Sequence, residues 1–392
     1  MLSGQKIVLA VTGSIAAYKS CELLRLFVKN RAQCTVILTK NAQRFISALT
    51  FKALGAIDVI SDDWEQPDHA IPHIDATREA DLMLVAPASA NILAKAANGI
   101  ADDVLSAAIL AARCPVAFAP AMNVNMWQHP ATQRNVEQLK RDGHVFIGPA
   151  QGEQACGDVG NGRMLEPVDI LESLEKLSTP QILDNCRVLI TAGATYEPID
   201  PVRGITNLST GKQGFAIAKA AALAGAHVTL IAGHTALPTP AGVHRIDVTS
   251  AAQMYRAVMH EVSSHEVFIS VAAVADWRIA NPSEHKIKKD SAQMPPLYFE
   301  ENPDILASVA ALENAPYCVG FAAETDNLID NARAKVYKKN VPLIVANLVK
   351  DAMGTDTNSV VFVQRDSAMP LARADKEQIA RALISKIAQE VN

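Results

Sequence analysis

The sequence predicts an α/β protein of two doubly wound, mainly parallel-sheet domains, each built in three layers. One observation is that the same alternation of apolar strand and helix starts twice, at KIVLAVT (Lys6–Thr12) and again at CRVLITAG (Cys186–Gly193). Near-continuous apolar runs of this kind suit parallel strands covered on both faces. The other is size: 392 residues exceed what one hydrophobic core usually serves, and 49% hydrophobic with only 5% aromatic residues fits α/β layers rich in small aliphatics.

In the first half a helix follows from Ser14 to about Lys29. Strands come next at CTVILT (Cys34–Thr39), LMLVAP (Leu82–Pro87), PVAFAP (Pro115–Pro120) and HVFIG (His144–Gly148). After a helix over Val168–Leu177, the polar, Pro-containing stretch Ser178–Asn185 marks the boundary. The expected domains are therefore 1–180 and 186–392. The second half carries an Ala-rich helix (Lys212–Ala224) and strands at His227–Gly233, Val267–Ala275, Tyr317–Thr325, Leu343–Val349 and Ser359–Val363. A closing helix runs from about Ala374 to Val391. In open sheets of this class, ligands sit at the carboxyl ends of the strands.

A net charge of −5 gives no general attraction to nucleic acid or anionic membrane, so anionic ligands need local basic clusters. The first ten residues read as a strand rather than a leader, and no run has the length and purity of a membrane span. Six cysteines without a CxxC pair suggest reduced thiols in a cytoplasmic protein, and no structural zinc. Five of the six read as buried small apolar residues; Cys156 stands apart.

Gly13 and Ser14 follow the first strand and open a helix, which leaves N–H groups and a hydroxyl for a phosphate. A simple capped turn would look the same, and the missing glycines of GxGxxG argue against a dinucleotide. Ser89 in APASAN (Ala86–Asn91) and Asn123 in PAMNVNMW (Pro120–Trp127) again end strands with polar groups. His73 lies in a loop, where most histidines have no chemical role. Cys156 lies in the Gly-rich stretch Gly152–Gly162, which reads as a mobile lid.

Together these segments resemble the homo-oligomeric flavin-containing cysteine decarboxylase family. The resemblance covers residues 5–165 and is carried by GSIAAYK (Gly13–Lys19), His73, PASANILAKAANGIADD (Pro87–Asp103), PAMNVNMW and ACGDVGNGRM (Ala155–Met164). It implies FMN surrounded by Gly13, Ser14, Thr39, Ser89 and Met122, a substrate carboxylate on Asn123, and Met126 in a substrate clamp. It also implies His73 as base and Cys156 as acid. In such chemistry the flavin takes electrons from the cysteinyl sulfur so that carbon dioxide can leave, then returns them.

In the second half, TAGATYEPIDPVRGITNLSTGKQG (Thr191–Gly214) is a hydroxyl-rich loop opening a helix, but it is not a Walker A loop. KIKK (Lys286–Lys289) and the group Lys335, Lys338, Lys339 could be solvated faces or could neutralise a triphosphate. With AAVADW (Ala272–Trp277), NPDIL (Asn302–Leu306) and GFAAET (Gly320–Thr325), residues 186–390 resemble phosphopantothenate–cysteine ligases. The resemblance implies that CTP, with Mg²⁺ on its phosphates, activates 4′-phosphopantothenate as an acyl cytidylate that cysteine then attacks. Asp276, Lys286, Pro303, Asp304, Ile305, Leu306, Phe321, Lys335 and Lys339 would contact the nucleotide. Lys286 would stabilise phosphate charge, and Asn207 would serve the acyl cytidylate.

In this order the two halves resemble the family of bacterial bifunctional coenzyme A biosynthesis proteins, with flavodoxin-like or Rossmann-like domains. The ligase product, phosphopantothenoylcysteine, would be the decarboxylase substrate. The resemblance further implies a homo-oligomer, a dodecamer of decarboxylase trimers and ligase dimers. A flavin-fold binding protein without catalysis, or a peptide-cysteine decarboxylase, would share the fold. Joint presence of His73, Asn123 and Cys156 speaks against the first, and the attached ligase half against the second.

Overall fold

The computed structural model describes residues 2, 4–62, 71–288, 296–348 and 357–391. Lys289 of the KIKK run and Val349 at the end of a predicted strand lie outside them. The chain divides into two compact units, Met1–Thr179 and Pro180–Asn392.

The first unit is a parallel sheet of β1 (Lys6–Val11), β2 (Gln33–Leu38), β3 (Asp58–Ser61), β4 (Leu82–Ala88), β5 (Val116–Pro120) and β6 (Val145–Phe146), ordered β3-β2-β1-β4-β5-β6. The order reverses between β1 and β4, which opens a crevice at their carboxyl ends. The pleat of β1 sends Ile7, Leu9 and Val11 to one face and Val8 and Ala10 to the other. The first face packs under α1 (Ala17–Lys29), α2 (Ala48–Ala53) and α8 (Pro167–Leu177), through Leu24, Phe27, Phe51 and Leu174. The second face packs under helices that include α4 (Ala90–Ala97), α5 (Val104–Ala111) and α7 (Pro130–Arg141), through Leu93, Leu105 and Leu139. Between β3 and β4 stands α3 (Pro72–Thr77).

Two expectations change here. His73 is not in a loop but in the first turn of α3, because Pro72 at the first helical position has its backbone already set for a helix. The Gly-rich stretch is not an unpacked lid either. It is an antiparallel hairpin of β7 (Ala150–Glu153) and β8 (Val159–Arg163).

The second unit centres on an eight-stranded sheet. Its parallel part is ordered β13 (Val243–Asp247), β12 (His227–Ala232), β9 (Arg187–Ala192), β14 (Val267–Ser270), β17 (Tyr317–Glu324), β18 (Leu343–Leu348). Two antiparallel strands, β20 (Val360–Val363) and β21 (Ala368–Pro370), extend the β18 edge. Short ribbons pair β10 (Tyr196–Pro198) with β11 (Gly204–Thr206), β15 (Trp277–Ile279) with β16 (Phe299–Glu301), and β19 (Thr357–Asn358) with β22 (Ala374–Asp375). One face packs on α9 (Lys212–Leu223) and the closing helix Lys376–Val391, the other on α10 (Ala251–Glu261), α11 (Ile305–Ala310) and α12 (Leu328–Lys339).

The strand expected over Val267–Ala275 stops at Ser270. The Thr191 hydroxyl accepts from the Val271 and Ala272 amides and turns the chain out of the ladder. Of the five cysteines expected inside, Cys34 and Cys318 are buried, whereas Cys21, Cys114 and Cys186 are half-buried. Burial pushes the Cys34 and Cys318 thiols up to about 12, so both are inert small apolar groups.

Candidate functional sites

In the first unit the carboxyl ends of β1 and β4 are tied by Thr12. Its hydroxyl donates to the Pro87 carbonyl at 2.7 Å and accepts from the Ser89 amide at 3.1 Å. Ser89 in turn caps α4, accepting from the Ile92 amide. Gly13 is a close approach: a Cβ there would stand 2.6 Å from the Asn41 Cβ. The following Ser14 Oγ accepts from the Ala16 amide at 3.3 Å, and α1 begins without a side-chain cap and without an acid in its first turn. That helix end is suited to a phosphate. Thr39, at the end of β2, donates to the Val11 carbonyl and accepts from the Ala42 amide. So Gly13, Ser14, Thr39 and Ser89 are gathered at neighbouring strand ends.

The segment after β5 carries Met122, half-buried, and Asn123, which starts the short helix α6 (Val124–Gln128). The Asn123 Oδ1 accepts from the Asn125 amide at 2.9 Å, which fixes the carboxamide and turns its Nδ2 outward. That Nδ2 lies 3.3 Å from Cys156 Sγ and donates to Asp158 Oδ2 at 2.6 Å. The thiol also donates to Asp158 Oδ2, at 3.4 Å. Met126, one turn on, is 50% exposed.

The hairpin lies flat on this segment because its glycines permit it. Gly162 has φ +136°, and a Cβ there would stand 2.4 Å from the Met122 carbonyl oxygen. The Met122 amide donates to the Gly162 carbonyl, and Gln154 clasps the segment from above. Its Oε1 accepts from the Val124 amide at 3.0 Å, and its Nε2 donates to the Met122 carbonyl at 3.2 Å. The base of the hairpin is anchored by buried Lys19, which donates to the Met164 carbonyl and to Glu166. His73 is not part of this group: among the described residues no hydrogen bond links it to Asn123, Cys156 or Asp158.

In the second unit a cleft of about 550 Å³ opens at the ends of β14 and β17. It is lined by Asp276, Pro303, Asp304, Ile305, Leu306, Phe321 and Lys339 of the expected set, and also by Glu301, Asn302 and Lys338. Asp304 caps α11, and its carboxylate pairs with Lys339 at 2.9 Å. Although burial works the other way, the Ala307 amide and Lys339 hold the Asp304 carboxyl below its ordinary range. Lys335 lies outside the lining and pairs with Glu324 at 2.7 Å.

Asn207 and Lys286 are placed by neighbouring loops rather than by the cleft wall. Asn207 Nδ2 donates to the Ala273 carbonyl at 3.0 Å, joining the hydroxyl-rich loop to the chain leaving β14. Lys286 is exposed. Next to it the Ile287 amide donates to buried Asp200 at 3.1 Å, and the Ile287 carbonyl accepts from Arg203 at 2.8 Å. Arg203, with help from backbone amides, holds the Asp200 carboxyl far below the usual range. Thr12, Gln154, Asp158 and Asp200 are polar residues with sequence-distant partners, and no spacing pattern singles them out. Among the described residues no cluster of three His, Cys, Asp or Glu could hold a metal ion.

A family model described as Flavoprotein matches residues 1–179, and the DNA/pantothenate metabolism flavoprotein C-terminal domain matches residues 183–391. The chain is 47% identical over 398 residues to the Coenzyme A biosynthesis bifunctional protein CoaBC of Vibrio cholerae serotype O1, across 100% of this chain and 99% of that one. It is 44% identical over 395 residues to its namesake from Escherichia coli K12, across 98% and 97%. With that from Bacillus subtilis 168 it shares 46% over 374 residues, across 93% and 92%.

Proposed function

Because the chain belongs to the family of bifunctional coenzyme A biosynthesis proteins, with decarboxylase and phosphopantothenate–cysteine ligase activities, we propose that its first unit decarboxylates and its second ligates. The observation that carries this reading is the 3.3 Å approach of Cys156 to Asn123, which joins a carboxylate-binding amide to a proton donor.

FMN fits the crevice: Gly13 admits a close ligand, Ser14 and the uncapped start of α1 suit its phosphate, and Thr39, Ser89 and Met122 stand nearby. Bound there, the flavin supplies the oxidation that makes carbon dioxide a leaving group. Asn123 holds the cysteinyl carboxylate through Nδ2, Met126 closes over the substrate, His73 takes a proton and Cys156 returns one. His73, unattached to the Asn123 group, is available to a site completed across a subunit boundary. Ile15 and Tyr18, each 61% exposed beside the Ser14 turn, offer apolar surface for such a neighbour. The expected assembly is the dodecamer of trimers and dimers.

In the second unit CTP occupies the cleft, with its phosphates on Lys339 and Lys335 and its remaining contacts on Asp276, Pro303–Leu306 and Phe321. Mg²⁺ rides on the phosphates rather than in a protein cage. Lys286 neutralises charge during cytidylyl transfer, and Asn207 steadies the acyl cytidylate for attack by cysteine. The use of CTP as co-substrate supports the reading that both reactions run in the cytoplasm.

The test incubates the yellow, FMN-loaded protein with CTP, 4′-phosphopantothenate and cysteine while carbon dioxide and pyrophosphate are measured. Cys156→Ser should stop at an oxidised enethiol and keep pyrophosphate release. Lys286→Gln should abolish pyrophosphate release yet still decarboxylate added phosphopantothenoylcysteine. Wild-type product formation by either variant removes that residue from its role.

A further inference from the structure

The shortest hydrogen bond in the Asn123 group is one that a substrate carboxylate on Asn123 would have to displace. Asn123 Nδ2, the donor assigned to the substrate carboxylate, is already taken by a carboxylate of the same chain, Asp158, at 2.6 Å. The carboxamide has no free choice: its Oδ1 is engaged by the Asn125 amide, and the second donor of Nδ2 is directed at Cys156 Sγ. Two carboxylates on one amide would repel at short range, so one must leave when the other arrives. Asp158 sits on the hairpin turn closed by Gln154 N–H to the Asp158 carbonyl, at 2.8 Å. It also accepts from Cys156, so the thiol and the carboxylate move as one tip.

We propose that Asp158 is a positioning residue that stands in for the substrate carboxylate, latching the hairpin tip to Asn123 until the substrate displaces it. This rests on the reading that Asn123 holds that carboxylate. With the substrate seated, the tip and Cys156 are withdrawn from Asn123. Loss of carbon dioxide frees the amide, Asp158 returns to it, and Cys156 is brought back at the stage when a proton is needed. The latch thereby orders the two halves of the reaction: the acid comes to the site only after the carboxylate has gone.

The test uses the full-length, FMN-loaded protein and two probes measured by calorimetry. Phosphopantothenoylserine keeps the carboxylate and carries a hydroxyl in place of the thiol; phosphopantetheine lacks the carboxylate. Asp158→Asn removes the competing charge, so it should bind the serine probe about tenfold more tightly and phosphopantetheine unchanged. In turnover its KM for phosphopantothenoylcysteine should fall together with kcat, and Asp158→Glu should restore both toward wild type. A ratio of the two probe affinities that stays put, or moves the other way, overturns the latch. Asn123→Ala separates the two readings. If it leaves the wild-type ratio unchanged, Asn123 does not hold the carboxylate at all; if it lowers the ratio while Asp158→Asn leaves it unchanged, the latch alone fails. Retained flavin colour and CTP-dependent ligation report that each variant is folded.

Discussion

In the lining of the second-unit cleft Lys339 pairs with the carboxylate of Asp304, 2.9 Å away and itself the cap of α11. The cation expected to meet a triphosphate is therefore held by an internal acid. Lys335 stands in the same relation to Glu324.

Replacing Asp304 with Asn keeps a good helix cap and removes the ion pair. Asn keeps the side chain's hydrogen-bonding reach toward CTP, so the KM for CTP should fall several-fold with kcat little changed, because Lys339 no longer has to be drawn from a partner. Lys339→Gln should raise that KM about tenfold or more, the loss of one charge-assisted phosphate contact. Pyrophosphate release at varied CTP reads both, and an unchanged KM in both variants would remove the pair from nucleotide binding.

Asp200 holds the Lys286 loop through the Ile287 amide. Its carboxyl is depressed by Arg203, so its contribution to stability is complete above the unfolded carboxylate value of ~3.9 and fades as pH falls below it toward the folded value. Asp200→Asn should therefore speed amide exchange over residues 283–288 at neutral pH, and the gap from wild type should narrow below about pH 4. Hydrogen-exchange mass spectrometry measures this, with the hairpin at 150–163 as an unaffected reference. A gap that widens in acid would contradict the assignment.

Gly162→Ala forces a side chain into left-handed backbone and against the Met122 carbonyl. The strain, of order 1–3 kcal/mol, should lift the hairpin and slow decarboxylation by about a hundredfold while ligation continues. Carbon dioxide and pyrophosphate measured on the same sample distinguish a local effect from general unfolding.

Thr12→Val leaves the backbone ladder between β1 and β4 in place but removes both hydrogen bonds of the Thr12 hydroxyl, and the Ser89 amide loses its partner. A loss of about 1–3 kcal/mol in the stability of the first unit is expected, with weaker FMN retention. Thermal denaturation and flavin fluorescence titration check the two effects separately.

The sheet was legible because its strands are apolar on both faces, and that pattern depends on neighbours along the chain. The motifs at strand ends were legible for a related reason: Gly13, Ser89 and Asn123 each follow an apolar run directly. The hairpin is not legible in this way. Gly152, Gly160 and Gly162 look like slack in a sequence, yet two of them are close-packing sites whose partners, Val124 and Met122, lie far back along the chain. The start of α3 at His73 is signalled in the sequence by Pro72 alone, and a single proline fits a turn equally well.

By itself, then, the sequence determined the two α/β layers, the strand ends where chemistry gathers, and the residues that mark the family, since periodicity and motif order are local properties. Only the tertiary structure decided which polar groups answer one another. Asp158 on Asn123, Asp304 on Lys339 and Asp200 on the Lys286 loop are contacts between residues 35, 35 and 87 positions apart. Such contacts depend on distance in space, and folding sets that distance.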